Sequence, residues 1–258
     1  MVDGSDFDRL VHEGNSEPTE GWDFSWFDGR ATEGRPSWRY LESLTQRMAH
    51  ADAVLDVQTG GGERFAQALR TCTTRPKTLA ATESWPPNVL VARRTLAPLG
   101  VAVAEVSKED PFPFGDESFD LVCSRHPTVN NWSELHRVLT RGGVYFSQQI
   151  GAGTNSELTD FLMGPHSLSH DQRVDVAVAR ARDAGLEIID AREESLPVAF
   201  FDVGAVVYFL RKVIWTVPDF SVDRYRESLL RLHQMTEKDG SFTSHSQRFF
   251  IEARKSIE

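Results

Sequence analysis

The chain has 258 residues, 26% of them charged and 40% hydrophobic, with a formal net charge of −10; that suits one good-sized globular domain with a decorated core. The acidic balance argues against nucleic acid as the main partner, because phosphate contacts need clustered Lys and Arg. Cys72 and Cys123 are isolated, with no CxxC pair and no Cys/His cluster of zinc spacing, so free buried thiols and no metal site are expected.

Residues 1–20 are polar and acidic and read as a loose tail. They carry no signal peptide, and no apolar run in the chain reaches the ~20 residues a membrane span requires, so cytoplasm is the default compartment. In 21–50, Trp22, Phe24, Trp26 and Phe27 crowd together. Pro36 then opens a helix running to about His50, a position that suits proline. The aromatic cluster reads either as a satellite core or as a flap over a binding site.

From residue 51 strands and helices alternate. Strands are expected at 53–58, 78–83, 101–106, 119–124, 143–150 and 186–192, and helices at 62–71, 86–98, 131–140 and 170–184. Such alternation predicts a parallel sheet covered by helices on both faces. Ligands of that architecture bind outside the carboxyl ends of the strands, in the loops 58–62, 83–86, 107–112, 124–130 and 151–169. The stretch 195–241 is apolar and aromatic, with an amphipathic helix at about 222–237, and reads as a helical insertion. For most of its residues plain core packing suffices; a few faces could serve as a lid. Residues 242–258 hold a last strand at 247–253.

Four blocks carry the chemistry. Val54-Leu55-Asp56-Val57-Gln58-Thr59-Gly60-Gly61-Gly62-Glu63 is a strand, a tight glycine turn and a helix start, where free N–H groups favour an anionic ligand group. Thr78–Glu83 is a second apolar run ending in a carboxylate, placed to accept hydrogen bonds from ribose hydroxyls. Pro113–Val122 and Leu135–Phe146 follow, with Ser118-Phe119-Asp120-Leu121-Val122 and Arg137-Val138-Leu139-Thr140-Arg141-Gly142-Gly143. Together, over about residues 50–150, they resemble the class I S-adenosylmethionine (SAM) dependent methyltransferases, especially the small "type 11" branch.

The resemblance implies a Rossmann-like, doubly wound, mostly parallel seven-stranded sheet with an antiparallel last strand. An N-terminal segment and a helical lid insertion would complete a single domain over 1–258, with the SAM-binding core at 51–194. It implies SAM as cofactor and S-adenosylhomocysteine as product. Asp56 would fix the glycine loop or reach the methionine amino group. Thr59, Gly60 and Gly62 would approach the cofactor, and Glu83 would hold the ribose diol, unless it or Ser84 only caps the next helix. Adenine would fall to Glu109 or Asp110, with Ser107 behind them. Ser124, Arg125 and His126 follow the fourth strand, where this family faces the transferring methyl. His126 is a candidate general base or a hydrogen-bonded structural group. Arg125 could anchor a carboxylate or phosphate. Phe24, Trp26 and Phe201 are candidate walls of an apolar chamber beside His126.

One departure matters. Gln58 stands where the family has its first glycine, close to the methionine end of the cofactor. Three functions follow: a SAM-dependent methyltransferase acting on a small molecule, a SAM-binding protein without catalysis because of Gln58, or an RNA or protein methyltransferase. Nothing in the sequence specifies an oligomeric state.

Overall fold

Short apolar runs that end in an acid or a glycine become strands, and the amphipathic stretches between them become helices. The computed structural model describes residues 4–19, 24–107 and 110–257; Trp22 and Glu109 lie outside the described residues. Eight strands form one sheet in the order β1-β7-β8-β6-β5-β2-β3-β4. The chain divides into two compact units, described here in turn.

The larger unit comprises Pro36–Ala152, His170–Glu194 and Arg248–Glu258. Its strands β2 (Ala53–Asp56), β3 (Thr78–Glu83), β4 (Ala102–Glu105), β5 (Phe119–Arg125) and β6 (Leu139–Ile150) all pair in parallel. Strand β8 (Phe242–Lys255) pairs antiparallel with β6, from Val144 opposite Arg254 to Ile150 opposite Arg248. Consecutive residues of a strand face opposite sides, and β2 makes this visible. Val54 packs in one core with Phe65 and Leu69 of α3 (Glu63–Thr71) and Leu96 of α4 (Pro86–Leu96), beside α2 (Tyr40–Met48). Leu55 packs in the other with Leu135 of α5 (Trp132–Val138) and Ala177 and Ala181 of α7 (Val174–Asp183). Strand β2 lies between β3 and β5, so its two neighbours lead off in opposite directions. A crevice between the loops after β2 and β5 is the consequence.

The smaller unit comprises Met1–Arg35, Gly153–Ser169 and Ser195–Gln247. Here the expectation of a loose tail is corrected. Gly4–Ser16 is helix α1, with Phe7, Leu10 and Val11 buried at helical spacing. Their partners are distant in sequence: Val206, Val207 and Leu210 of α8 (Val203–Lys212) and Leu229 and Leu232 of α9 (Val222–Asp239). Helices α1 and α8 touch backbone to backbone, since a β-carbon on Gly14 would lie 2.2 Å from the carbonyl oxygen of Gly204. Asp202 caps α8 by accepting from the Ala205 N–H (2.9 Å) and also binds Arg30, which reaches Glu13 of α1 at 2.8 Å.

Besides α1, two elements were not anticipated in the smaller unit, and one strand is longer than expected. Strand β1 (Ala31–Glu33) makes the eighth strand, antiparallel to β7 (Leu186–Phe200) with Ala31 opposite Phe200. Strand β7 thus runs to Phe200, past the expected end at 192. Helix α6 (Ser156–Met163) falls in what reads as a loop. Among the described residues no helix is long and apolar enough to cross a membrane.

Candidate functional site

Strand β2 ends at Asp56, and the chain then turns on left-handed residues: φ is +56° at Gln58, +64° at Gly60 and +82° at Gly62. Gly60 is required by that conformation alone, because a β-carbon there would meet nothing within 4 Å. Gly62 is required by packing as well, because its β-carbon would lie 2.7 Å from Leu96 Cγ.

The buried Asp56 carboxylate is turned onto its own loop. Its Oδ2 accepts from the Thr59 hydroxyl at 2.6 Å and its Oδ1 from the Cys123 thiol at 3.4 Å. Burial pushes its pKa up to about 6 against the pull of those two bonds, and the nearby Glu83 adds to the rise. A raised carboxyl pKa stabilises the fold fully below the ordinary value and less as pH rises through 6. Asp56→Asn keeps an acceptor for Thr59 and removes the charge. From pH 4.5 to 7.5 the variant should therefore gain about 2 kcal/mol relative to the native protein in urea unfolding. A difference that does not change with pH would mean that Asp56 does not titrate in this range.

Glu83, at the end of β3, draws two loops together. Its Oε2 accepts from the Gly60 N–H at 2.7 Å, and its Oε1 accepts from the N–H groups of Ser84 (2.8 Å) and Trp85 (3.0 Å). The acid therefore stands against the glycine loop and also holds the turn that leads into α4. Ser84 contributes to this arrangement through its backbone.

Gln58 spans the crevice. Its Oε1 accepts from the Thr128 N–H (2.8 Å) and hydroxyl (2.9 Å), and its Nε2 donates to the Val129 carbonyl at 2.5 Å. The loop after β2 is thus tied to the loop after β5. Below the tie, Val57, Gln58, Thr82, Ser107, Asn130 and Tyr145 help line a cavity of about 10 Å³. That is close to one water's room, whereas a ligand pocket needs roughly 300 Å³ or more. Asp110 is exposed on its loop and donates its N–H to the Ser107 carbonyl at 3.2 Å. Glu109, the other adenine candidate, lies outside the described residues.

After β5, buried Ser124 donates to the Val57 carbonyl at 2.9 Å. His126 takes a left-handed φ of +57°, and its N–H reaches the Gln148 carbonyl at 2.7 Å. Its ring Nε2 lies 2.9 Å from Gln148 Nε2, and Gln148 Oε1 accepts from the Trp38 indole at 2.8 Å. An indole N–H can only donate. It therefore fixes the Gln148 oxygen towards Trp38 and the amide N–H₂ towards His126. The imidazole must then accept at Nε2 and carry its proton on Nδ1. Burial holds the His126 pKa well below the usual histidine range, and Arg125, Arg248 and Arg64 lower it further. The side chain is neutral at physiological pH, with its lone pair already engaged.

The polar network around His126 includes residues that motif reading missed. Gln148 and Gln149 are buried on β6, and Gln149 exchanges hydrogen bonds with Asn130, which also accepts from the Tyr145 hydroxyl at 2.7 Å. The signal was there to read: Ser147-Gln148-Gln149 is a polar run between the apolar Val144-Tyr145-Phe146 and Ile150 of one strand. Buried side-chain amides need partners, so such a run marks a site rather than a core.

Phe24, Trp26 and Phe201 belong to the smaller unit. The Trp26 ring lies 4.8 Å from that of Tyr208, with the Arg30 guanidinium 4.1 Å over it. Phe24 stacks on Phe27 at 6.1 Å. Phe201 is 41% exposed.

Residues 55–147 match the family model described as a methyltransferase domain. No curated protein matches the chain. Among solved structures, a putative methyltransferase from Bacillus halodurans is 21% identical over 84% of this chain and 98% of its own, with a TM-score of 0.58. A putative sarcosine dimethylglycine methyltransferase from Galdieria sulphuraria is 17% identical over 98% and 99%, with a TM-score of 0.52. The [4+2]-cyclase SpnF, 16% identical over 98% and 93%, also scores 0.52.

Proposed function

We infer from the match of residues 55–147 to a methyltransferase-domain model that the protein is a class I SAM-dependent methyltransferase, which binds SAM beside the glycine loop and methylates a small molecule. The observation that carries this reading is the 2.7 Å bond from the Gly60 N–H to Glu83, which joins the loop and the acid that a nucleoside would need together. The donor set fits the ribose half of such a ligand: Glu83 is an anionic acceptor with three of about four lone-pair sites used. The amino-acid half requires Gln58 to turn out of the crevice.

The cofactor supplies a methyl group already activated on a sulfonium, so the chain has to align partners and exclude water. Asp56 and Thr59 hold the loop in shape, and Glu83 accepts the ribose hydroxyls. Arg64 and Arg248 join Arg125 in setting a positive field at His126, which suits a substrate with a carboxylate or phosphate. His126 is proposed to orient the substrate as a neutral hydrogen-bonding group. It can take a proton only once Gln148 releases Nε2.

The test is transfer from methyl-labelled SAM to separated small-molecule, RNA and protein fractions of a cell extract. Label in the small-molecule fraction is expected. Label in RNA that weakens steeply with salt would replace the reading with a nucleic-acid one. A second reading, SAM binding without methyl transfer, is favoured by the Gln58 tie. The cyclase with this fold is a reminder that architecture alone does not dictate chemistry.

A further inference from the structure

Within the smaller unit, helices α1 and α9 bring Asp6, His233 and Glu237 together, each with a potential ligand atom within 4.8 Å of the others. His233 is the informative member. It is 1% exposed, and neither ring nitrogen has a hydrogen-bond partner. Its ring packs against Phe7, with centroids 5.7 Å apart. A neutral imidazole carries one donor and one acceptor, and burying both without partners forfeits their hydration for nothing.

We propose that Asp6, His233 and Glu237 form a site for a divalent transition-metal ion of the zinc class. The ligand types fit: an imidazole nitrogen and carboxylate oxygens are both zinc ligands, and water would complete the shell. An imidazole selects against calcium and magnesium, which prefer oxygen alone. The geometry fits as well. His233 and Glu237 stand four residues apart on one helix, so they share a face. Both hydrogen bonds from Arg9 to Asp6 end on Oδ1, which leaves Oδ2 for a metal. Bonds of ~2.0–2.1 Å set ligand atoms of a tetrahedral site about 3.4 Å apart, so the present spacing, within 4.8 Å, has to close by at most about 1.4 Å. Glu237 is exposed and can swing to do this. The ion would clamp helix α1 to α9, the long helix of the insertion. It needs no cysteine, so a search for Cys/His spacing does not find it.

The test is titration of zinc into the metal-free full-length protein, followed by calorimetry and thermal unfolding. One zinc per chain is expected, bound more tightly than calcium. At about a hundredfold excess over Kd it should raise Tm by roughly 5 °C. Glu237→Gln and Asp6→Asn should each weaken binding at least tenfold and, at the same zinc concentration, cut the Tm shift to roughly half or less. His233→Leu should do the same, and if it fails to fold, the exposed Glu237 variant still decides. Absence of zinc binding, or binding unchanged in both carboxylate variants, would overturn the proposal. The result is independent of whether the larger unit binds SAM.

Discussion

Glu83→Ala is expected to weaken S-adenosylhomocysteine binding by about 10- to 100-fold and to destabilise the fold by ~2–4 kcal/mol, because charge-assisted bonds are worth ~1.5–3 kcal/mol each. The two losses share a cause. Alanine removes the acceptor for ribose and also leaves the N–H groups of Gly60, Ser84 and Trp85 without their carboxylate. Glu83→Gln separates the effects. Its one remaining oxygen can still accept from Ser84 and Trp85, but its amide N–H₂ then meets the Gly60 N–H donor to donor. Stability should recover in part while affinity stays low. Urea unfolding and equilibrium dialysis of both variants read this out. Full affinity in Glu83→Ala would remove Glu83 from the ligand site.

Gln58→Gly is expected to act in the opposite direction, tightening ligand binding by about 10- to 100-fold. The side chain makes three hydrogen bonds to residues 128 and 129, and a ligand that enters the crevice has to break them at a net cost of ~0.5–1.5 kcal/mol each. Stability should fall by roughly 0.5–3.5 kcal/mol, because the three lost bonds outweigh the about 1 kcal/mol of left-handed strain that glycine relieves at φ +56°. A large gain in affinity despite that loss of stability would identify Gln58 as a latch. Unchanged affinity would mean that the tie opens freely and restrains nothing.

The larger unit was legible because its signals are local. A strand, a turn that needs positive φ and a helix start occupy ten consecutive residues, Val54 to Glu63, and each step has its own side-chain requirement. Glu83 could be read from its distance to that turn, and the structure sets it against Gly60. What the sequence did not reveal depends on partners far along the chain. Helix α1 is amphipathic, yet only burial against α8 and α9 gives Phe7 and Leu10 a reason to fold. The direction of the Gln58 side chain depends on a loop 70 residues away, and no local pattern encodes it. The tautomer of His126 rests on a relay that starts at Trp38, through an amide on β6. His233 looks like one more polar position in α9 until its burial is known.

The central claim is that the crevice after β2, β3 and β5 takes a nucleoside cofactor. Calorimetric titration of the native protein and of Gln58→Gly with SAM and with S-adenosylhomocysteine tests it most directly. One saturable site per chain is expected for both ligands, mutually competitive, and tighter in the glycine variant. No heat with either ligand in either protein would contradict it.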